Sequence, residues 1–263
     1  MQDLTISLVQ ADLAWEDAAA NHDALAAAIR SLPRTDVIVL PEMFASGFSM
    51  AAERLAQTMQ GPSVQWLQAQ AAATDALVGG SLIIAEGGHY YNRFVLAQPD
   101  GTLHHYDKRH TFRMAGEHTV YTSGTQRPIL SWRGWRILPQ VCYDLRFPVW
   151  SRNALPDAGY DLALYVANWL MARSRHWQQL LAARAIENLA YVAGVNRCGT
   201  DGNQIVYSGN TALYDFHGEV LAGVSPHTPG TATCTLSAAA LTQWRTRFPA
   251  WQDADAFEWP HLA

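Results

Sequence analysis

Leu138-Pro139-Gln140-Val141-Cys142-Tyr143-Asp144-Leu145-Arg146-Phe147-Pro148-Val149-Trp150 is the stretch on which the reading of this chain turns. An apolar run that begins at Trp135 stops at Cys142, and polar and charged residues follow at once. A strand that ends in a thiol and then turns sharply holds a nucleophile at the rim of a sheet. Taken alone, Cys142 reads equally well as a small buried hydrophobe. Its neighbours in the rest of the chain decide between the two.

Upstream, Val37-Ile38-Val39-Leu40 is a short apolar run of buried-strand type closed by Pro41, and Glu42 follows immediately. Thr102 to Tyr106 reads as a strand that runs into Asp107-Lys108-Arg109-His110. Downstream, Leu162 to Ala167 is another buried strand, ending at Asn168-Trp169. Further strands are expected at 4–9, 77–85, 90–97, 129–132, 135–141 and 191–196, with short pieces from 204 to 236. Helical spacing predicts helices over 21–32, 64–76, 174–189 and 237–248, and a fifth over 146–154 that Pro148 interrupts early. The segment 107–124 reads as a long polar loop.

Strand and helix alternate too closely for two independent units, and no linker-like tract divides the chain. The expectation is one α/β domain spanning residues 1–263, with helices covering the sheets. Residues 249–263 form a Trp-rich tail too short for a core of its own, which should pack on the domain or on a partner subunit. With 49% hydrophobic and 16% charged residues the chain has a soluble, folded composition rather than a disordered one. A net charge of −5 argues against a general nucleic-acid binder. Cys142, Cys198 and Cys234 are widely spaced and odd in number, which suggests neither a disulfide framework nor a zinc site. No apolar run reaches the ~20 residues of a membrane span, and Met1 to Ser7 lacks the basic start of a signal peptide. A cytoplasmic location is therefore expected.

Glu42, Lys108 and Cys142 each stand just past a strand. Brought together, they divide a familiar labour. A free thiol is only a few per cent ionised at neutral pH, so a carboxylate beside it is needed to take its proton. A lysine stabilises the anion that forms on a carbonyl oxygen, and the N–H of Tyr143 is a second donor for it.

These residues resemble a known family. Leu40-Pro41-Glu42-Met43-Phe44, Asp107-Lys108-Arg109-His110 and Val141-Cys142-Tyr143-Asp144-Leu145-Arg146-Phe147-Pro148 are similar, in order and spacing, to the three signature segments of the nitrilase superfamily of carbon-nitrogen hydrolases. The resemblance implies a four-layer α-β-β-α sandwich, a Glu42-Lys108-Cys142 triad, and a second glutamate, Glu117, that hydrogen-bonds Lys108 and orients the substrate. It also implies a homodimer or larger homo-oligomer and no metal or organic cofactor. Cys142-Tyr143-Asp144 is similar to the amidase branches, where true nitrilases have Cys-Trp-Glu. The stretches 132–150, 182–188 and 248–255 are similar to bacterial omega-amidases, which hydrolyse the side-chain amides of 2-oxoglutaramate and 2-oxosuccinamate. Leu170 stands where the family commonly has proline.

A small dicarboxylate-type amide needs a cation for its far carboxylate, and Arg113, Arg146 and Arg173 are the candidates, with Arg146 alternatively pairing with Asp144. Phe44, Phe112 and Trp169 are candidate apolar walls. Other readings compete. His104, His105, His110 and His118 cluster in sequence but fit no metal-ligand spacing. Gly47-Phe48-Ser49-Met50-Ala51 approaches a serine-hydrolase elbow without its last glycine. A non-catalytic subunit on the same fold, an N-carbamoyl-amine hydrolase and a deaminated-glutathione amidase remain alternatives.

Overall fold

The computed structural model describes residues 1–156 and 159–255. Its strands are β1 (Leu4–Gln10), β2 (Val37–Val39), β3 (Leu77–Glu86), β4 (His89–Ala97), β5 (Leu103–Asp107), β6 (Leu130–Trp132) and β7 (Trp135–Val141). They continue as β8 (Leu162–Ala167), β9 (Tyr191–Asn196), β10 (Cys198–Thr200), β11 (Val206–Ser208), β12 (Ala212–Tyr214), β13 (Val220–Gly223) and β14 (Gly230–Leu236). The helices are α1 (Ala18–Arg30), α2 (Ala52–Leu55), α3 (Pro62–Thr74), α4 (Pro148–Ser151), α5 (Ser174–Asn188) and α6 (Ala238–Arg247).

Two six-stranded sheets form, in the orders β14-β1-β2-β3-β4-β5 and β13-β12-β9-β8-β7-β6, and β10 and β11 make a small ribbon. In each sheet three central strands run parallel, β1-β2-β3 and β7-β8-β9, with antiparallel strands outside them. The near-continuous apolar runs of these strands are what burial on both faces demands. Along β8, Leu162, Leu164 and Val166 face the core between the sheets, whereas Ala163, Tyr165 and Ala167 face α5. Along β2, Val37 and Val39 face the other sheet and Ile38 faces the α1 and α3 layer. The result is four layers, helices on sheet on sheet on helix, in a single domain.

Each covering helix buries one stripe. In α1 the buried residues are Asn21, Leu25 and Ile29, and in α5 they are Trp177, Leu181, Arg184, Ala185 and Asn188, both at helical spacing. The α1 N-terminus is capped by Asp17, whose carboxylate accepts from Ala20 N at 3.0 Å, and Pro62 opens α3 at a position where its missing N–H costs nothing.

The expected helix over 146–154 is a single turn, α4. A 3-10 turn over Cys142–Arg146 comes first, and the chain becomes extended at Arg152. Arg127 holds this segment by donating to the carbonyls of Trp150 (2.7 Å) and Arg152 (2.9 Å). Residues 107–124 hold two short 3-10 turns, Arg113–Ala115 and Glu117–Thr119. Their loop closes where Gly124 N donates to Lys108 O at 2.9 Å, a contact so tight that a Cβ on Gly124 would lie 2.1 Å from Asp107 O. Trp251 borders a surface cleft with Met1, Arg136 and Pro249. Residues 256–263, Trp259 among them, lie outside the described residues. Among the described residues no helix is long and apolar enough to cross a membrane.

Candidate active site

The ends of β2, β5 and β7 converge, and with them Glu42, Lys108 and Cys142. Glu42 is 0% exposed, Lys108 1% and Glu117 0%. Lys108 Nζ donates to Glu42 Oε1 at 2.9 Å and to both Glu117 oxygens at 3.0 and 2.9 Å. Asn92, on β4, completes the group: its amide donates to Glu42 Oε1 (2.7 Å) and Glu117 Oε1 (3.2 Å), and its own oxygen accepts from the Ser81 hydroxyl (2.7 Å). From the second sheet, Asn168 N donates to Glu42 Oε2 at 2.7 Å, and Asn168 Nδ2 donates to the Glu42 carbonyl at 2.7 Å. Glu117 Oε2 also accepts from Phe112 N. Every charge in this buried cluster has partners, as desolvation requires.

The backbone is left-handed at two of these junctions. Met43, directly after Glu42, has φ +45°, and Cys142 itself has φ +45°. For side chains other than glycine this costs about 1–3 kcal/mol, and it persists because the surrounding packing fixes it. At Cys142 it turns the chain sharply off the end of β7, where the charges of Glu42, Lys108 and Glu117 act on the sulfur. The first amides of the 3-10 turn that follows, Tyr143 N–H among them, point out of its N-terminal end without intrahelical partners.

Burial pushes the Cys142 thiol well above its ordinary range, and the Glu42 charge adds to this, outweighing Lys108. The sulfur therefore rests protonated, and it can attack a carbonyl only if a base takes that proton. Burial disfavours the Lys108 charge, but the carboxylates of Glu117 and Glu42 overcome it and hold the ammonium charged. Burial also raises Glu117, against the pull of Lys108.

A pocket of about 370 Å³, counting its open mouth, lies over Cys142. Phe48, Phe112 and Trp169 form apolar walls, and Arg146 and Arg173 add two cations. The Arg146 guanidinium lies 4.7 Å from the Trp169 ring centre, and Arg173 lies 5.9 Å from that of Phe112. Arg146 Nη2 meets His176 Nδ1 at 3.2 Å, and Arg173 Nη2 meets Met114 Sδ at 3.0 Å. Neither arginine has a carboxylate partner among the described residues. Leu170 lines the same pocket with φ −61°, the angle a proline ring would impose, so the wall keeps its backbone course.

Several expectations are corrected. Phe44 is fully buried in the helix-covered core, with ring centres 6.2 Å from His22 and 5.7 Å from Trp66, and does not line the pocket. Arg113 is exposed on its 3-10 turn and does not line the pocket either. Asp144 does not pair with Arg146, because both its oxygens are taken by Tyr106, His110 and Val141 N. Ser49 donates to Glu16 Oε1 at 2.6 Å, away from the pocket. His104 pairs with Gln98 and His110 with Asp144, so the sequence cluster of histidines is dispersed. Sequence reasoning missed Asn92, Asn168 as a partner of Glu42, Phe48 and Asp144. Asp144, inside the Cys142 segment, and Asn168, at the end of a buried strand, carried a local signal; Asn92 and Phe48 did not.

The assembled group supplies a thiol, a carboxylate to exchange its proton, and an ammonium with a backbone N–H for an oxyanion. Comparison with known proteins gives the family. Residues 5–246 match the carbon-nitrogen hydrolase family. The omega-amidase YafV of Escherichia coli K12 is 53% identical, over 98% of this chain and 99% of that one. The 2-oxoglutaramate amidase of Bacillus subtilis is 30% identical, over 83% of this chain and 85% of that one. The structure of XC1258 from Xanthomonas campestris, a CN-hydrolase superfamily protein with an arsenic adduct in its active site, is 47% identical, with a TM-score of 0.95 over 98% of this chain and 100% of that one. The chain belongs to the carbon-nitrogen hydrolase family.

Proposed function

We propose that this chain is an omega-amidase. It hydrolyses the terminal amide of small 2-oxo dicarboxylic acid monoamides, 2-oxoglutaramate and 2-oxosuccinamate, to the acid and ammonia. The carrying observation is the buried Glu42-Lys108-Glu117 cluster beside the Cys142 thiol, beneath a pocket that offers two arginines without carboxylate partners. The relatives named for omega-amidase and 2-oxoglutaramate amidase activity support the substrate class.

Glu42 takes the Cys142 proton as sulfur attacks the amide carbon, since the thiol rests neutral. Lys108 Nζ and Tyr143 N–H receive the oxyanion. Glu42 returns the proton to the leaving nitrogen, the C–N bond breaks, ammonia departs and a Cys142 thioester remains. Water, deprotonated by Glu42, attacks the thioester; the C–S bond breaks, the acid forms, and the proton returns to sulfur. Glu117 holds Lys108 and the Phe112 backbone. Arg146 and Arg173 meet the substrate's far carboxylate, and Phe48, Phe112 and Trp169 enclose its methylene chain. The reaction uses no metal or organic cofactor. We place the enzyme in the cytoplasm as a homo-oligomer, with a small amide and water as its partners and neither nucleic acid nor membrane among them.

A side-by-side panel of ω-amides, N-carbamoyl compounds and nitriles, read by ammonia release, tests this. The ω-amides of 2-oxo acids are expected to be turned over fastest. Faster turnover of a carbamoyl compound would replace the omega-amidase reading.

A further inference from the structure

Asp144 is a fully buried carboxylate, and its bonds fall beside residues of the site. Oδ2 accepts from Val141 N (3.0 Å), the residue before Cys142, and from the Tyr106 hydroxyl (2.8 Å). Oδ1 accepts from His110 N (2.9 Å) and His110 Nδ1 (2.8 Å), two residues past Lys108. The Tyr106 hydroxyl in turn accepts from Arg109 N (3.1 Å), the residue after Lys108, and from Trp150 Nε1 (2.9 Å). A phenol has one proton and two lone pairs, and all are used. Tyr106 belongs to the first sheet and Val141 to the second, so these bonds cross the sandwich beside the reacting groups.

We propose that Asp144, with Tyr106, is a positioning element for the hydrolysis, locking the backbone that carries Lys108 to the backbone that presents Cys142. The proposal rests on the roles given to Cys142 and Lys108 above. Lys108 and Cys142 come from different sheets, so their separation follows from how the sandwich is pinned at this point. A misplacement of about 1 Å costs on the order of 100-fold in rate. The pair also fits its task chemically. Burial and the Asp144 charge push the phenol well above its usual range, so it stays a neutral donor to Asp144. Four donors point at one carboxylate, which leaves no place for the N–H groups of an amide.

Asp144→Asn and Tyr106→Phe test this. In Asp144→Asn the new NH2 must face groups that already donate. In Tyr106→Phe the carboxylate stays while the link to Arg109 N is lost. Both are expected to lower kcat about 10–100-fold. KM for 2-oxoglutaramate is expected to stay within about threefold, because the pocket arginines are not touched. Alkylation of Cys142 by iodoacetamide is expected to slow in step with kcat, in protein shown to be folded by circular dichroism. His110→Ala removes one bond from a partly exposed ring and guards against loss of folding in the other two. It is expected to lower kcat about threefold to tenfold. Folded variants with a lower Tm but wild-type kcat and wild-type alkylation would overturn the proposal, leaving the pair a purely structural bond set. Retained activity in Cys142→Ala would instead overturn the underlying reading, and the two failures are distinct.

Discussion

The two sheets follow one plan and contribute opposite things. Each has three parallel strands at its centre, and in each the middle one ends in a polar residue at the interface: Glu42 just past β2, Asn168 just past β8. These two residues meet, with Asn168 N and Nδ2 donating to the carboxylate and the carbonyl of Glu42. At matching addresses one sheet places a carboxylate, proposed above to exchange protons, and the other a donor that fixes it. The same contrast extends to their neighbours. Glu42, Lys108, Glu117 and Asn92 come from the first sheet and its loops and are buried and fully bonded, whereas Cys142 comes from the second, is backbone-strained and keeps partial access to the pocket. A charge network that is complete before substrate arrives needs no reorganisation during reaction. A nucleophile, by contrast, must be reachable.

If this division of labour holds, the second sheet's contribution is lost most completely in Cys142→Ala. Ammonia release is expected to fall by about 10⁴-fold or more, with the fold retained, as measured by steady-state assay and circular dichroism. Glu42→Gln strikes the first sheet. It puts an amide where Lys108, Asn92 and Asn168 all donate, and the rate is expected to fall about 10²–10⁴-fold. Alkylation of Cys142 should drop with it, because the protonated sulfur loses its base. Asn168→Ala keeps the backbone N–H to Glu42 and removes only the side-chain donor, so a fall nearer tenfold is expected. Equal losses in Glu42→Gln and Asn168→Ala would erase the distinction between base and holder. Arg173→Ala, away from the reacting atoms, is expected to raise KM for 2-oxoglutaramate about tenfold while leaving kcat on an uncharged amide near wild type.

The smallest expected effect concerns stability and pH. The folded protein holds the Cys142 proton more tightly than the unfolded chain, whose thiol titrates near about 8.5. The stability tied to this thiol is fully present below that value and is lost as pH rises through the higher folded value. Thermal melts of the wild type are therefore expected to fall more steeply above about pH 8.5 than those of Cys142→Ala. Parallel curves would show that the thiol does not couple to folding.

Much of this arrangement was legible in the sequence, because its signals are local. Apolar runs that stop at Pro41-Glu42 and at Cys142 mark strand ends, and burial on both faces accounts for their lack of alternation. The misreadings have a common physical origin. Phe44 lies two residues past Glu42, but the left-handed turn at Met43 sends it back into the helix-covered core. Phe48, a few residues further on, reaches the pocket instead. The alternative pairing of Arg146 with its neighbour Asp144 fails, because Asp144 is claimed by Tyr106 and His110 from the other sheet. Asn92 and Asn168 lie 50 and 126 positions from Glu42, and nothing in a single sequence announces a bond across such distances. The helix expected after Cys142 is one turn, and Arg127, from a distant loop, donates to the Trp150 and Arg152 carbonyls at its end.

The central claim is that Cys142 carries the acyl group between attack and hydrolysis. Rapid quenching in acid during turnover of 2-oxoglutaramate, followed by peptide mass spectrometry, tests it most directly. The account predicts an acyl adduct on the peptide containing Cys142, absent in Cys142→Ala. Turnover without that adduct in the wild type, continuing in Cys142→Ala or with the acyl group on Cys198 or Cys234, would contradict it.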